Sequence, residues 1–233
     1  MTPSVLEFAD VSKNYGGLRP LRIAGLIIST GVHAILGLDQ AAAEVFIGLA
    51  TGATLPDAGE VRLFGRPTSA ITDSADWLAT VDRVGIVSER AVLLDQFTVV
   101  QNLVMPFTLE IEPPPDAERA KAEALAQEVG LSQSTWTRPL AELDADAALR
   151  VRLGRAVALD PSLVLLEHAT ARLAREAVAP FGAVVNAIAE RRAVAVVALT
   201  ADDGFAHAVD GSPLTLDPAT GRFKERRRRF WER

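Results

Sequence analysis

Residues 32–44 read Val32-His33-Ala34-Ile35-Leu36-Gly37-Leu38-Asp39-Gln40-Ala41-Ala42-Ala43-Glu44, and the fold follows from how they are parsed. Val32 to Leu36 is a compact apolar run of strand length, entered by a turn at Thr30-Gly31. Beyond the loop Gly37-Leu38-Asp39-Gln40, residues Ala41 to Ala50 are rich in Ala, Val, Phe, Ile and Leu and free of proline, which predicts a helix. The unit is strand, short loop, helix.

Outward from it, Val5 to Phe8 and Ala24 to Ser29 read as short strands. Gly52 and Pro56-Asp57-Ala58-Gly59 make turns before a strand from Glu60 to Phe64. Val84 to Val87 is strand-like and gives way at Ser88-Glu89-Arg90 to a helical segment, Phe97 to Phe107. Pro113-Pro114-Pro115 cannot continue a helix and sets off another from Asp116 to Val129, with Asp116 as its N-cap and Gly130 as its stop. Residues of about 90 to 155 therefore form a mostly helical insertion. Ser162 to Leu166 is a continuous apolar strand of the parallel-sheet type, followed by a helix from Arg175 to Glu190 and a buried strand from Ala193 to Leu199. Strands alternating with helices, without internal repeat or long linker, predict one α/β domain over 1–233: an open, largely parallel sheet with a helical subdomain.

Composition narrows the function. With 233 residues, 49% of them hydrophobic, the chain can bury a full core. It has no cysteine, so disulfides, thiolate metal sites and cysteine nucleophiles are excluded. Three histidines, His33, His168 and His207, are too few for a histidine-rich metal centre. The net charge is −6, and the segment 222–233 alone carries about +5, so the rest is close to −11. An acidic body argues against nucleic-acid binding. The N-terminus has neither the basic segment nor the apolar run of a signal peptide, and Leu21 to Leu38 is too interrupted to span a membrane.

In an open α/β sheet the ligand crevice lies beyond the carboxyl ends of the strands, here the loops after Leu36, Val87, Leu166 and Leu199. Residues 37–44 have the position and length of a phosphate-binding loop, Gly-x4-Gly-Lys-Ser/Thr. Asp10-Val11-Ser12-Lys13-Asn14-Tyr15-Gly16-Gly17 precedes it, and Gly85-Ile86-Val87-Ser88-Glu89 and Thr98-Val99-Val100-Gln101-Asn102-Leu103 follow. Then come Leu143-Asp144-Ala145-Asp146-Ala147, Leu163-Val164-Leu165-Leu166-Glu167-His168 and Leu199-Thr200-Ala201-Asp202. In this order and at these separations the segments resemble the nucleotide-binding subunit of an ATP-binding-cassette (ABC) transporter across nearly the whole chain. The resemblance implies the family's P-loop NTPase fold, an antiparallel β part beside the parallel core, and ATP hydrolysis coupled to transport. It also implies a membrane permease as partner, a homodimer or a heterodimer with a competent ABC subunit, and a place on the inner face of the cell membrane. Coupling helices of the permease would seat around Glu89 to Pro106. Asn102-Leu103-Val104-Met105-Pro106 is similar to subunits of lipid and lipoprotein exporters.

The chemistry departs from the family. The nucleotide site maps onto Tyr15, whose family counterpart stacks on adenine, and onto Gly37, Asp39, Gln40, Ala41, Ala42, Ala43 and Glu44. Ala42 replaces the second loop glycine, Ala43 the phosphate-binding lysine, and Glu44 the magnesium-binding hydroxyl. Glu89 stands for the Q-loop glutamine, Glu167 for the Walker B aspartate, His168 for the catalytic glutamate and Ala201 for the switch histidine; Ala174 replaces a further aspartate. Losing one charge-assisted contact costs about 1.5–3 kcal/mol. A carboxylate about 4 Å from phosphate adds repulsion of order 4 kcal/mol at an effective dielectric near 20. Even half that repulsion, with the lost contact, is about a thousandfold in affinity. No catalytic residue, cofactor or metal is expected, ATP and magnesium entering only if the site is less degenerate than it reads.

Each substituted residue also has an ordinary reading. Tyr15 either stacks a base or packs as a partly buried aromatic. His168 is either a substitute base or an inert strand-end residue. Glu44, Glu89, Glu167 and Asp39 converge in such a fold and form either a carboxylate cation site or acids that are solvated or salt-bridged, with Arg90 or Arg155 as partners. Asp144 and Asp146, just before a helix, either cap it or meet a partner's ligand. The tail Arg226 to Arg229 with Phe230-Trp231 either engages an anionic membrane or an acidic partner or is a solvated end. The expected role is a structural or regulatory pseudo-ATPase; a working ATPase with substitute groups and a permease-free binding module are the alternatives.

Overall fold

The computed structural model describes residues 3–16, 19–200, 202–209 and 212–225; Gly17, Ala201 and the tail from 226 lie outside them. In chain order the elements are β1 (Ser4–Lys13), β2 (Leu21–Ser29), β3 (His33–Gly37), α1 (Gln40–Thr51), β4 (Ala58–Leu63), β5 (Arg66–Pro67), α2 (Ser74–Val81), β6 (Val84–Val87), α3 (Val99–Val104), α4 (Asp116–Glu128), α5 (Ala145–Val157), β7 (Leu163–Glu167), α6 (Arg175–Arg192), β8 (Ala195–Leu199), α7 (Asp203–Ala208), β9 (Ser212–Asp217) and β10 (Arg222–Glu225). β2-β1-β4-β5 is an antiparallel sheet. The second sheet runs β10-β9-β3-β8-β7-β6, parallel from β9 to β6, with β10 antiparallel on its edge.

The parallel sheet has a hydrophobic core on each face. Successive side chains of a strand point to opposite sides. Leu163, Leu165, Ala195, Val197 and Leu199 therefore join α1 and the antiparallel sheet, while Val164, Leu166, Val196 and Ala198 join α3–α6. This is why β7 and β8 are continuous apolar runs. Phe46 of α1 stacks on Phe8 of β1 with centroids 4.8 Å apart, fastening the helix to the antiparallel sheet.

Several expectations change. The helix expected over Phe97 to Phe107 is only Val99–Val104. Thr98 and Gln101 form a capping box at its start; at its end Pro106 has no N–H, and Phe107 and Thr108 turn back onto the Val104 carbonyl. Asp116 is the first residue of α4 and not its cap, which is Pro115; Gly130 does follow the helix, at φ +77°. Ala193 is not in β8 but turns the chain after α6 in a left-handed conformation. The first four residues of the expected basic tail are β10, where Lys224 pairs with Asp217 at 2.7 Å.

Glu128 at the end of α4 binds Arg192 and Arg191 in the last turn of α6, with contacts of 2.8 and 2.5 Å. Burial pushes its carboxyl up, but the hydrogen bonds and charges of Arg192, then Arg191, outweigh this and hold it below the ordinary glutamate range. A depressed native value means that the stabilisation is fully present above the unfolded value near pH 4.3 and is lost as pH falls through the native one. Glu128→Gln should thus cost about 2 kcal/mol at pH 7. In urea titrations from pH 7 to pH 3, the difference from wild type should shrink toward zero at the acid end.

Candidate functional site

β3, β6, β7 and β8 end side by side, so the loops after Gly37, Val87, Glu167 and Leu199 meet at one edge of the parallel sheet. α1 begins there. Its N-cap is Asp39, whose carboxylate accepts the amide of Ala42 at 2.8 Å. A phosphate-binding loop leaves such amides to its ligand; here the chain's own carboxylate takes one. Gln40 and Ala41 are exposed, Ala42 is buried and Ala43 is fully enclosed at 0% exposure.

Glu167 ends β7 with its side chain 1% exposed, and three donors converge on it. Gln40 Nε2 donates to Oε1 at 3.1 Å; Ser88 Oγ and an Arg90 guanidinium nitrogen donate to Oε2 at 2.6 and 2.9 Å. The other terminal nitrogen of Arg90 lies 2.6 Å from Glu44. One guanidinium therefore spans the acid of α1 and the acid of β7, as its planar fork permits.

Of the four carboxylates expected to converge, only Glu44 and Glu167 do so. Glu89 instead pairs with Arg172 at 2.7 Å, and Asp39 turns to its helix cap. Arg90 is the bridging base; Arg155 binds the Val92 carbonyl instead. Among the described residues no group of three or more His, Asp or Glu is placed to hold a metal ion. Tyr15 is half-buried against the core beside the antiparallel sheet. His168 sits at φ +42° just after β7, with Nε2 enclosed and no hydrogen-bond partner among the described residues. Ala201 lies outside the described residues. Asp202 caps α7 and accepts from Thr170 Oγ1 at 2.7 Å.

In the Leu143–Ala147 segment, Asp144 caps α5 through the Ala147 amide. Asp146 is not before the helix but in its first turn, paired with Arg150 at 2.6 Å. No hydrogen bond or ion pair among the described residues links this segment to the Arg90 cluster. Ser88 and Gln40 hold Glu167 in a way sequence reading missed, because neither residue type announces a carboxylate partner so distant in the chain.

The two sheets, α1 and the helices α3–α5 define a P-loop ABC ATPase fold, also that of cbiO1 from Clostridium perfringens, part of the ABC transporter complex cbiONQ. The two superpose with a TM-score of 0.79 at 18% identity, over 95% of this chain and 87% of that one. The lipoprotein-releasing system ATP-binding protein LolD of Saccharophagus degradans is 32% identical over 181 residues, 76% of this chain and 78% of LolD. The chain belongs to the family of ABC-transporter ATP-binding subunits, a family of ATPases. The methionine import ATP-binding protein MetN of Caulobacter vibrioides is 33% identical over 172 residues, 72% of this chain but 51% of MetN. No protein-family model matches the chain.

Arg90 and Glu44 are about half-exposed, at 47% and 60%, whereas Glu167 is buried. Removing Arg90 leaves a buried carboxylate with only neutral donors; removing Glu44 breaks a solvated pair. Arg90→Ala should therefore cost about 2–3 kcal/mol, and Glu44→Ala less than about 1 kcal/mol. Urea unfolding at pH 7 reads both, and equal losses would show that Glu167 does not depend on Arg90.

Proposed function

We propose that the chain is a non-hydrolysing ATP-binding-type subunit of an ABC transporter, docked on a membrane permease at the cytoplasmic face of the membrane and paired with itself or with a competent subunit. The observation that carries this reading is the Arg90 guanidinium held between Glu44 and Glu167. A nucleotide site needs cations at this point to meet the β- and γ-phosphates. Here the positive charge of Arg90 is supplied by the chain and already paired with two acids. The Asp39 carboxylate occupies the helix N-terminus in the same way, and enclosed Ala43 offers no side chain to a ligand. The residues present thus do not fit magnesium–ATP. Among the described residues no helix is long and apolar enough to cross a membrane, in keeping with a peripheral subunit.

The cargo reading is lipid or lipoprotein export. It rests on the phrase Asn102 to Pro106 and on the coverage of LolD, whose name states lipoprotein release. Calorimetric titration of the purified chain with magnesium–ATP should give a dissociation constant weaker than about 100 μM, equivalent to about −5.5 kcal/mol, with no phosphate release. Tighter binding, or phosphate release that Arg90→Ala changes, would overturn the reading.

A further inference from the structure

β6, β7 and β8 end at the Arg90 cluster, so they begin at the opposite edge of the sheet. The segments leading into them carry Arg83, Ser162 and Ala193, which with Pro3, Val5 and Phe64 line a cleft of about 340 Å³. Backbone strain is concentrated there. Phe64 (φ +52°), Asp160 (φ +51°) and Ala193 (φ +50°) all border the cleft. Asp tolerates this conformation; Phe and Ala do so at a cost. Phe64 and Gly65 make the two-residue loop between paired Leu63 and Arg66, where both φ angles are positive and Asn-Gly is the usual choice. Ala193 follows α6 at a position where glycine is usual. Residues kept in such conformations cluster at ligand-binding sites.

The Phe64 ring carries the Arg83 guanidinium, 3.8 Å from its centroid. The Arg83 carbonyl accepts the Ser162 amide at 2.8 Å, which holds the two residues together. Neither the guanidinium of Arg83 nor the hydroxyl of Ser162 has an ion pair or hydrogen bond among the described residues. The other polar groups of the cleft are taken. Asp160 is paired with Arg192, which Glu128 also holds, and the hydroxyls of Ser4 and Thr30 turn to Glu7 and to the Pro3 carbonyl. What remains is a planar cation and a hydroxyl beside Val5, Pro161 and an aromatic ring, a set that suits an oxyanion on a body with apolar surface. We propose that this cleft binds a small molecule carrying a carboxylate or a phosphate, whose oxygens accept from Arg83 and Ser162 and whose body rests on Phe64 and Val5. The site lies at the far edge of the strands from the nucleotide loop and does not depend on the state of that loop.

The test titrates the isotope-labelled full chain with inorganic phosphate and, separately, with benzoate, and follows the backbone amides of Phe64, Ser162 and Ala193 by NMR. At least one of the two anions should shift these amides saturably, and sodium chloride at equal ionic strength should not. A response to phosphate alone assigns a phosphorylated ligand, and a response to benzoate alone a carboxylate. Arg83→Gln should weaken the binding by about tenfold or more. Its melting temperature should stay that of wild type, because Arg83 is exposed and holds no countercharge. No saturable shift with either anion, an equal shift with chloride, or binding that Arg83→Gln leaves unchanged would overturn the proposal. So would shifts confined to the amides of α1, which would put the anion in the vestigial loop. An Arg83→Gln variant that melts well below wild type would overturn it too, by making the stack on Phe64 a purely structural contact. Tight ATP binding in the calorimeter would sink the pseudo-ATPase reading and leave this one standing.

Discussion

A carboxylate at the end of a buried strand constrains everything around it. Glu167 ends β7, a central strand of the parallel sheet, with its side chain 1% exposed. Such a charge persists only if donors reach it. Gln40 comes from the start of α1, and Ser88 and Arg90 from the loop after β6. The three segments meet because the parallel register aligns Val87 with Leu166 and Glu167 with Leu199. The polar cluster and the sheet register therefore reinforce each other: a slip of one residue in β7 would turn Glu167 to the other face and strand its donors.

The same residues meet, from within the chain, demands that a phosphate-binding loop otherwise leaves to its ligand. A loop built to grip a polyphosphate carries unsatisfied amides and excess positive charge, both unfavourable when nothing is bound. In this chain Asp39 satisfies an amide of α1, and the charge of Arg90 is shared between two acids. Ala43 is enclosed, and the acid at Glu44 faces Arg90 and is paired with it.

The β-strands flanking the site were legible because buried parallel strands read as unbroken apolar runs; Val84 to Val87 matches β6 residue for residue. α1 was legible from its alanine-rich, proline-free run. β9 and β10 were not read, since Ser212 to Glu225 alternates weakly and is rich in polar residues, and β9 is placed by pairing with distant β3. The length of α3 was misread because apolar Met105 and Phe107 continue the pattern past Pro106, which lacks the donor to continue the helix. The loops beyond the strand ends could be located from sequence, and Arg90 was one of two arginines expected to meet the acids. That Glu89 turns away to Arg172 while its neighbour turns inward depends on loop geometry, which carries no periodic signal.

That loop is also where the two halves of the molecule are joined. Over five residues, Ser88 and Arg90 send their side chains inward to Glu167 and Glu44, while the carbonyls of Ala91 and Val92 accept the arginines of α5. The segment is held from the core by side chains and from the helical subdomain by its backbone. A shift of α5 relative to the sheet must therefore either break the carbonyl contacts or pull on Arg90, whose release would expose buried Glu167 without its countercharge. That tether links the position of the helical subdomain to the loop after β3 through the chain's own Arg90.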